Sequence, residues 1–327
     1  VGKWPEVFGA KTKGGFKMAA IKPIRILILG HPYFVNKLRE LGANFGSADM
    51  PYTFMTFGRN KIGKWLSLWR SDLIYLIGGD LRPNRFYHLA LFLKKKVIFH
   101  WVGSDILDMK SWRNQGRQFS PRLVNRVVHW AEVMWTANEL KELGLTSQVV
   151  PLTPAAFPGE VKELPGKFVV LTYLPAGKAD FYGEATIVEL ARKFPEIVFL
   201  AVATNTTERN PEWPPNLISV GWVDNMAELY SEVVLIIRLT RHDGLSFMVL
   251  EALAHGRHVI WGYPLTGVYQ TDGDIGRLVP FIDKLYQKHS QGDLHINQVG
   301  REYVARFYRP EVVWEQISRG IDEVMKL

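Results

Sequence analysis

The chain has 327 residues, no cysteine, 47% hydrophobic and 22% charged residues, and a formal charge of +8. That composition excludes a disulfide scaffold, a thiolate metal site and a cysteine nucleophile, and its ordinary apolar fraction excludes a disordered or coiled-coil chain. The charge is split unevenly: residues 1–150 carry 23 Lys and Arg against 10 Asp and Glu, and residues 151–327 carry 17 against 22. A basic first half predicts an anionic partner, and no apolar run approaches the ~20 residues needed to cross a bilayer.

In chain order, residues 1–20 hold Lys3, Lys11, Lys13 and Lys17 among glycines, without the apolar core of a signal peptide. They read as a basic arm, and a cytoplasmic location is expected. The apolar run 24–29, closed by Gly30, reads as a strand buried on both faces, as in parallel sheets. Further strands are expected at 73–77, 97–101 and 133–135, with helices between at 35–41, 62–69, 86–95 and 122–130. Alternation at this spacing implies βαβ units.

Four prolines and two glycines over 150–166 interrupt the pattern. Residues 151–166 are therefore the expected linker between a first domain, 21–150, and a second, 167–308. In the second, strands are expected at 168–171, 197–203, 216–220, 233–237 and 258–261, and helices at 182–193, 226–231 and 246–255. Residues 309–327 open with Pro310 and carry a one-sided stripe of Val312, Val313, Ile317, Ile321 and Val324, an amphipathic helix. The fold class is α/β, with two Rossmann-like halves in tandem.

The chemistry concentrates in Asp243-Gly244-Leu245-Ser246, which turns from a strand into a helix carrying Glu251 eight positions after Asp243. A glycine turn entering a helix N-terminus exposes unpaired N–H groups at the positive end of the dipole, an anion site suited to phosphate. Two carboxylates flanking it suit one sugar hydroxyl and one ribose diol. Taken in isolation, the same pair also reads as a helix cap and a surface glutamate.

The run 243–260 resembles the Glu-x7-Glu motif of retaining, GT-B-fold glycosyltransferases, particularly glycosyltransferase family 4, with Asp243 at the first glutamate and His258 at the usual proline. Thr172-Tyr173-Leu174-Pro175-Ala176-Gly177-Lys178 resembles the family's Gly-Arg-Leu-x-x-x-Lys turn. Lys178 stands at the diphosphate-binding lysine, and Tyr173 replaces the arginine. Gly221-Trp222-Val223 resembles the segment whose backbone holds the base. The Asp272–Val279 stretch resembles the Asp-Gly-x-x-Gly-x-Leu-Val loop. His100-Trp101-Val102-Gly103-Ser104-Asp105 resembles the strand-loop lining the interdomain cleft.

The resemblance implies a GT-B cleft, a C-terminal helix crossing back to the first domain, and retaining transfer from a nucleoside-diphosphate sugar, a UDP-sugar first. Its implied catalytic residues are Asp243, Lys178 and His100, of which His100 reads equally as a satisfied strand-end histidine. The donor-binding set is Tyr173, Gly244, Leu245, Ser246, Glu251, Trp222 and Val223, to which the residues themselves add Arg238 and Gly30, the latter either a backbone phosphate contact or a plain turn. Arg238, or its neighbour Arg241, is placed to replace the missing arginine, and the pocket at the Ser246 helix is expected to be cationic. No cofactor or metal is expected: Asp272-Gly273-Asp274 reads as a turn, and His255 and His258 straddle a helix end. The acceptor, a glycan or lipid, is assigned to the basic first domain. Residues 59–70 interleave tryptophan with Lys and Arg, as in a helix lying on an anionic membrane, and also as in a core-packed helix with a basic outer face. No nucleic-acid-binding signature is present. A catalytically degenerate sugar- or partner-binding protein and a nucleotide-sugar epimerase remain as alternatives.

Overall fold

The structure, a computed structural model, describes residues 23–46, 52–56, 61–152, 154–204 and 210–327. The basic arm expected over 1–20 lies outside the described residues.

The first half contains β1 (Ile24–Leu29), α1 (Pro32–Phe45), β2 (Tyr52–Met55), α2 (Lys61–Arg70), β3 (Leu73–Ile77), α3 (Arg85–Phe92) and β4 (Lys96–Trp101). It continues through α4 (Ser104–Asn114), α5 (Pro121–Arg126), β5 (Val128–Ala131), α6 (Met134–Glu142) and β6 (Gln148–Val149). The second half contains β7 (Val169–Tyr173), a 3-10 turn (Ala179–Tyr182), α7 (Glu184–Lys193), β8 (Val198–Val202), β9 (Leu217–Gly221), α8 (Met226–Ser231) and β10 (Leu235–Arg238). It ends with α9 (Phe247–Ala254), β11 (His258–Trp261), β12 (Val268–Gln270), α10 (Ile275–Ser290), α11 (Gln298–Phe307) and α12 (Pro310–Lys326).

Two six-stranded sheets result, ordered β2-β1-β3-β4-β5-β6 and β12-β11-β10-β7-β8-β9, with every pair parallel. Strands such as β3, buried at every position, read as uninterrupted apolar runs because helices cover both faces of each sheet. The sequence order reverses between β1 and β3 in the first sheet and between β7 and β10 in the second. Such switch points, at the carboxyl ends of the strands, are where open α/β sheets bind ligands.

The stripe of α12, Val313, Trp314, Ile317, Ile321 and Val324, is buried in the first domain's core against Ile26, Leu38 and Tyr75. Tyr52 also donates to Asp322 at 2.7 Å. The C-terminal helix crosses back as expected. Gly320 allows it, because a Cβ there would meet the Trp130 ring at 2.7 Å.

One stretch is reassigned. β5 takes over the end of the helix expected over 122–130, and the strand expected at 133–135 is the start of α6. Val127–Trp130, apolar but for His129, is too short a run for periodicity alone to separate from a helix segment, and Pro121 starts a helix that stops at Arg126. Strands β2, β6 and β12 and helices α4, α10 and α11 were not expected at all. No residue of these three strands is buried, so none shows a buried apolar run. Among the described residues no helix is long and apolar enough to cross a membrane.

Candidate active site

The carboxyl ends of the two sheets face each other across a cavity of about 660 Å³. Its walls are set by both switch points: Tyr173 ends β7 and Arg238 ends β10, while Tyr33 and Phe34 follow β1. The domains approach backbone to backbone at Gly103 and Gly244. A Cβ on Gly103 would lie 2.7 Å from Gly244 N, and one on Gly244 would collide with the Val102 carbonyl oxygen. Gly103 also has φ +122°, which disfavours any side chain. Two glycines, one per domain, thus bring the α9 turn against the β4 loop.

Asp243 is fixed by groups from both domains. Its carboxylate accepts from Arg238 Nε at 2.5 Å and Nη2 at 3.2 Å, and from Trp261 Nε1 at 3.2 Å. Its N–H donates to the Tyr263 hydroxyl at 2.9 Å, and its carbonyl accepts from Trp135 Nε1 at 3.0 Å. Trp135, at the start of α6 in the first domain, stacks on Tyr263 at 5.1 Å and meets Trp261 edge-on at 5.5 Å. The guanidinium of buried Arg238 lies 5.2 Å from the rings of both Tyr173 and Tyr182. Next to Asp243, His242 Nε2 is 2.8 Å from Glu139 of α6, whose other oxygen binds Lys110 at 2.8 Å.

One turn into α9, on its cavity-lining side, Glu251 bonds the Tyr230 hydroxyl at 3.1 Å. Burial pushes its pKa above the ordinary glutamate value, and the Tyr230 bond and the Lys37 charge offset part of that rise. Trp222, Val223, Tyr173, Gly244, Leu245 and Ser246 line the same cavity. Ser246 caps α9, its hydroxyl accepting from Val249 N. Thus all but one of the expected donor-binding residues converge with Asp243.

The exception is Gly30. It does not line the cavity, and its glycine is explained by β3: a Cβ would meet the Ile77 carbonyl oxygen at 2.5 Å. His100 is also corrected. It is fully buried inside the first domain, bonded to the Tyr75 hydroxyl at 2.6 Å and the Val150 carbonyl at 2.8 Å, and burial lowers its pKa to about 4. A strand-end histidine pointing into a sheet's core pairs with core groups, so it presents nothing to a substrate. Lys178 is exposed on the turn after β7 and is not among the cavity's lining residues. That turn borders the cleft, since Ala176 N donates to Ala203 O at 3.1 Å and Ala203 lines it.

The cationic pocket is the largest correction. Among the described residues lining the cavity, the cations are Lys37 and Arg238 and the carboxylates are Glu132, Asp224, Asp243 and Glu251. Arg238 is paired to Asp243, while Arg241 pairs with Asp180 at 2.5 Å beside a different cavity. Glu132, which follows β5, is buried and accepts from Leu245 N at 3.3 Å, so one N–H of the anion-binding turn already faces a carboxylate. Sequence reading missed Glu132, Trp135, Tyr33, Phe34, Lys37 and Tyr263. Misplacing β5 hid the first two, because a residue just past a strand's carboxyl end is a candidate only once that end is located.

No protein-family model matches the chain, and no curated protein matches its sequence. Its architecture does have solved counterparts. The protein HepE of Anabaena, solved in complex with UDP and glucose, superposes with a TM-score of 0.66 at 12% identity, over 92% of this chain and 100% of that one. Sucrose-phosphate synthase from Thermosynechococcus elongatus gives 0.63 at 14% identity, over 93% and 100%. A glycosyltransferase from Rickettsia africae gives 0.62 at 12% identity, over 94% and 99%. The chain has the GT-B fold. In GT-B terms the cavity is the interdomain cleft, α9 borders it from the second domain, and α12 is the returning helix.

Proposed function

We propose that the protein is a retaining glycosyltransferase of the family 4 type. It moves a sugar from a nucleoside diphosphate, UDP first, to a glycan or lipid acceptor bound by the first domain, without a metal. One observation carries this reading: Asp243 and Glu251 stand on one cavity, on either side of the α9 start, at the switch points of a GT-B fold. The complex of HepE with UDP and glucose supports the choice of UDP and a hexose.

In this reading Glu251 takes the ribose diol, and Trp222 and Val223 border the base. The N–H groups at the start of α9 face the diphosphate, with Lys178 reaching in from its rim turn and Lys37 from the facing domain. Asp243 holds a sugar hydroxyl, fixed in place by Arg238. The bond from the anomeric carbon to the phosphate oxygen breaks as the acceptor oxygen bonds on the same face, and the leaving phosphate takes the acceptor's proton. Catalysis then rests on orientation and on fixed dipoles at the leaving group.

A second reading, a GT-B protein that binds a sugar without transferring it, draws on the four carboxylates against two cations among the cavity's described lining residues. A doubly charged leaving group is poorly matched to that wall. The two are separated by incubating the protein with UDP-glucose and UDP-N-acetylglucosamine, following UDP release and the melting temperature. Removing one stabilising contact to the leaving group costs about 3 kcal/mol, so Lys178→Ala is expected to lower release by two decades or more. A donor-induced rise in melting temperature without UDP release, with acceptor glycans present, selects the binding reading.

A further inference from the structure

Helices α2 and α3 lie side by side on the first domain, on the face of its sheet opposite α1 and α12. Trp65 meets Phe86 with ring centroids 5.9 Å apart, Lys64 lies 5.2 Å from the same ring, and Lys95 Nζ donates to the Trp69 carbonyl at 3.0 Å. Their inward residues, Leu68 on α2 and Phe86, Ala90 and Leu91 on α3, are already buried. Each helix nevertheless carries a second apolar stripe at helical spacing, turned outward. On α2 it is Ile62, Trp65, Leu66 and Trp69, and on α3 it is Leu89, Phe92 and Leu93. Ile62 is 71% exposed, Trp69 69% and Phe92 77%, and exposed apolar side chains gathered on two adjacent helices mark an interaction surface.

The charge around that face selects its partner. Residues 62–71 and 85–96 contain Lys64, Arg70, Arg85, Lys94, Lys95 and Lys96, and no Asp or Glu. A second copy of the chain docked face to face would set these cations against one another, and cores of protein interfaces are depleted in lysine. Exposed tryptophan and phenylalanine beside lysine and arginine match the boundary of an anionic bilayer, where rings sit at headgroup depth and the cations meet lipid charge.

We propose that the α2–α3 face docks the protein peripherally on an anionic lipid surface. This rests on the exposed face alone, so it stands or falls independently of sugar transfer. The test is flotation of the full chain with vesicles of phosphatidylcholine alone or mixed equally with phosphatidylglycerol, without donor. Binding is expected to be at least tenfold stronger to the anionic vesicles, and to weaken as salt is raised. Trp69→Ser with Phe92→Ser is expected to abolish it with unchanged far-UV circular dichroism, and Lys94→Gln to weaken it about fivefold. Failure to float with anionic vesicles, equal binding to neutral ones, or a wild-type dimer that the Trp69→Ser/Phe92→Ser variant loses would each overturn the proposal.

Discussion

Each domain places an aspartate just past a strand's carboxyl end, where the chain enters a helix, and the two carboxylates meet opposite fates. Asp105, after β4, is turned inward and accepts from the N–H groups of Gly79, Val102, Gly103 and Ile106 at 2.5, 3.2, 2.8 and 3.1 Å. Burial nonetheless raises its pKa to about 6, the backbone bonds offsetting only part of that cost. Asp243, between β10 and α9, is held by side chains, Arg238 and Trp261, and stays on the cavity wall. A carboxylate saturated by backbone shapes a loop, whereas one oriented by side chains keeps an oxygen edge toward a ligand. The two loops are also in contact, because the turn folded around Asp105 presents Val102 and Gly103 to Gly244.

The largest effect is expected at the contact between the loops. Gly244→Ala forces the turn off the Val102 carbonyl, and a displacement of ~1 Å at the reacting atoms costs about a hundredfold in rate. UDP release is expected to fall by that much, with small-angle scattering reporting wider domains.

Asp243→Asn comes next, since it leaves a buried guanidinium without its counter-ion. Loss of one partner of a buried pair costs about 3–5 kcal/mol, whereas removing both is often neutral. Urea unfolding is expected to show that loss, and Arg238→Met added to it is expected to restore most of the stability. A double variant as unstable as the single one would show that the pair does not organise the site.

Acid titration sharpens the inward half of the comparison. His100 and His129 are buried with pKa values lowered to about 4, so the folded state binds fewer protons than the unfolded chain between about pH 4 and 6.5. Each contributes stability that is present at neutral pH and lost as pH falls through about 4, roughly 3 kcal/mol in full. Asp105 acts oppositely: its raised pKa makes the folded form bind the extra proton, so its ionisation weakens the fold as pH rises through about 6. His255 and His258, also lowered by burial, add to the histidine gain and Glu251, raised by burial, opposes it, so stability is expected to rise from pH 4 to 6.5 in urea unfolding across pH. His100→Phe is expected to flatten the curve without changing UDP release at neutral pH.

The smallest effect is expected at Glu251, which is oriented by a single tyrosine. Glu251→Gln keeps the shape and removes the charge, at about 1–2 kcal/mol of a charge-assisted bond. Apparent UDP affinity is expected to drop about tenfold in a thermal-shift titration, with turnover at saturating donor nearly unchanged.

Several features were legible in the residues themselves. Near-continuous apolar runs marked β1, β3 and β4, the spacing of Asp243 and Glu251 put both carboxylates on one helix entrance, and the stripe of α12 announced a buried face. Each is a local periodic signal, so chain order carries it. What the sequence did not determine is which charges cancel. Arg238 belongs to Asp243, Arg241 to Asp180, and Glu132 reaches Leu245 from 113 positions away. Those pairings, the inward turn of His100, and the glycine-to-glycine approach of the domains arise only when distant segments are brought together. Electrostatic energy depends on distance and burial in space, which the order of residues along a chain does not specify.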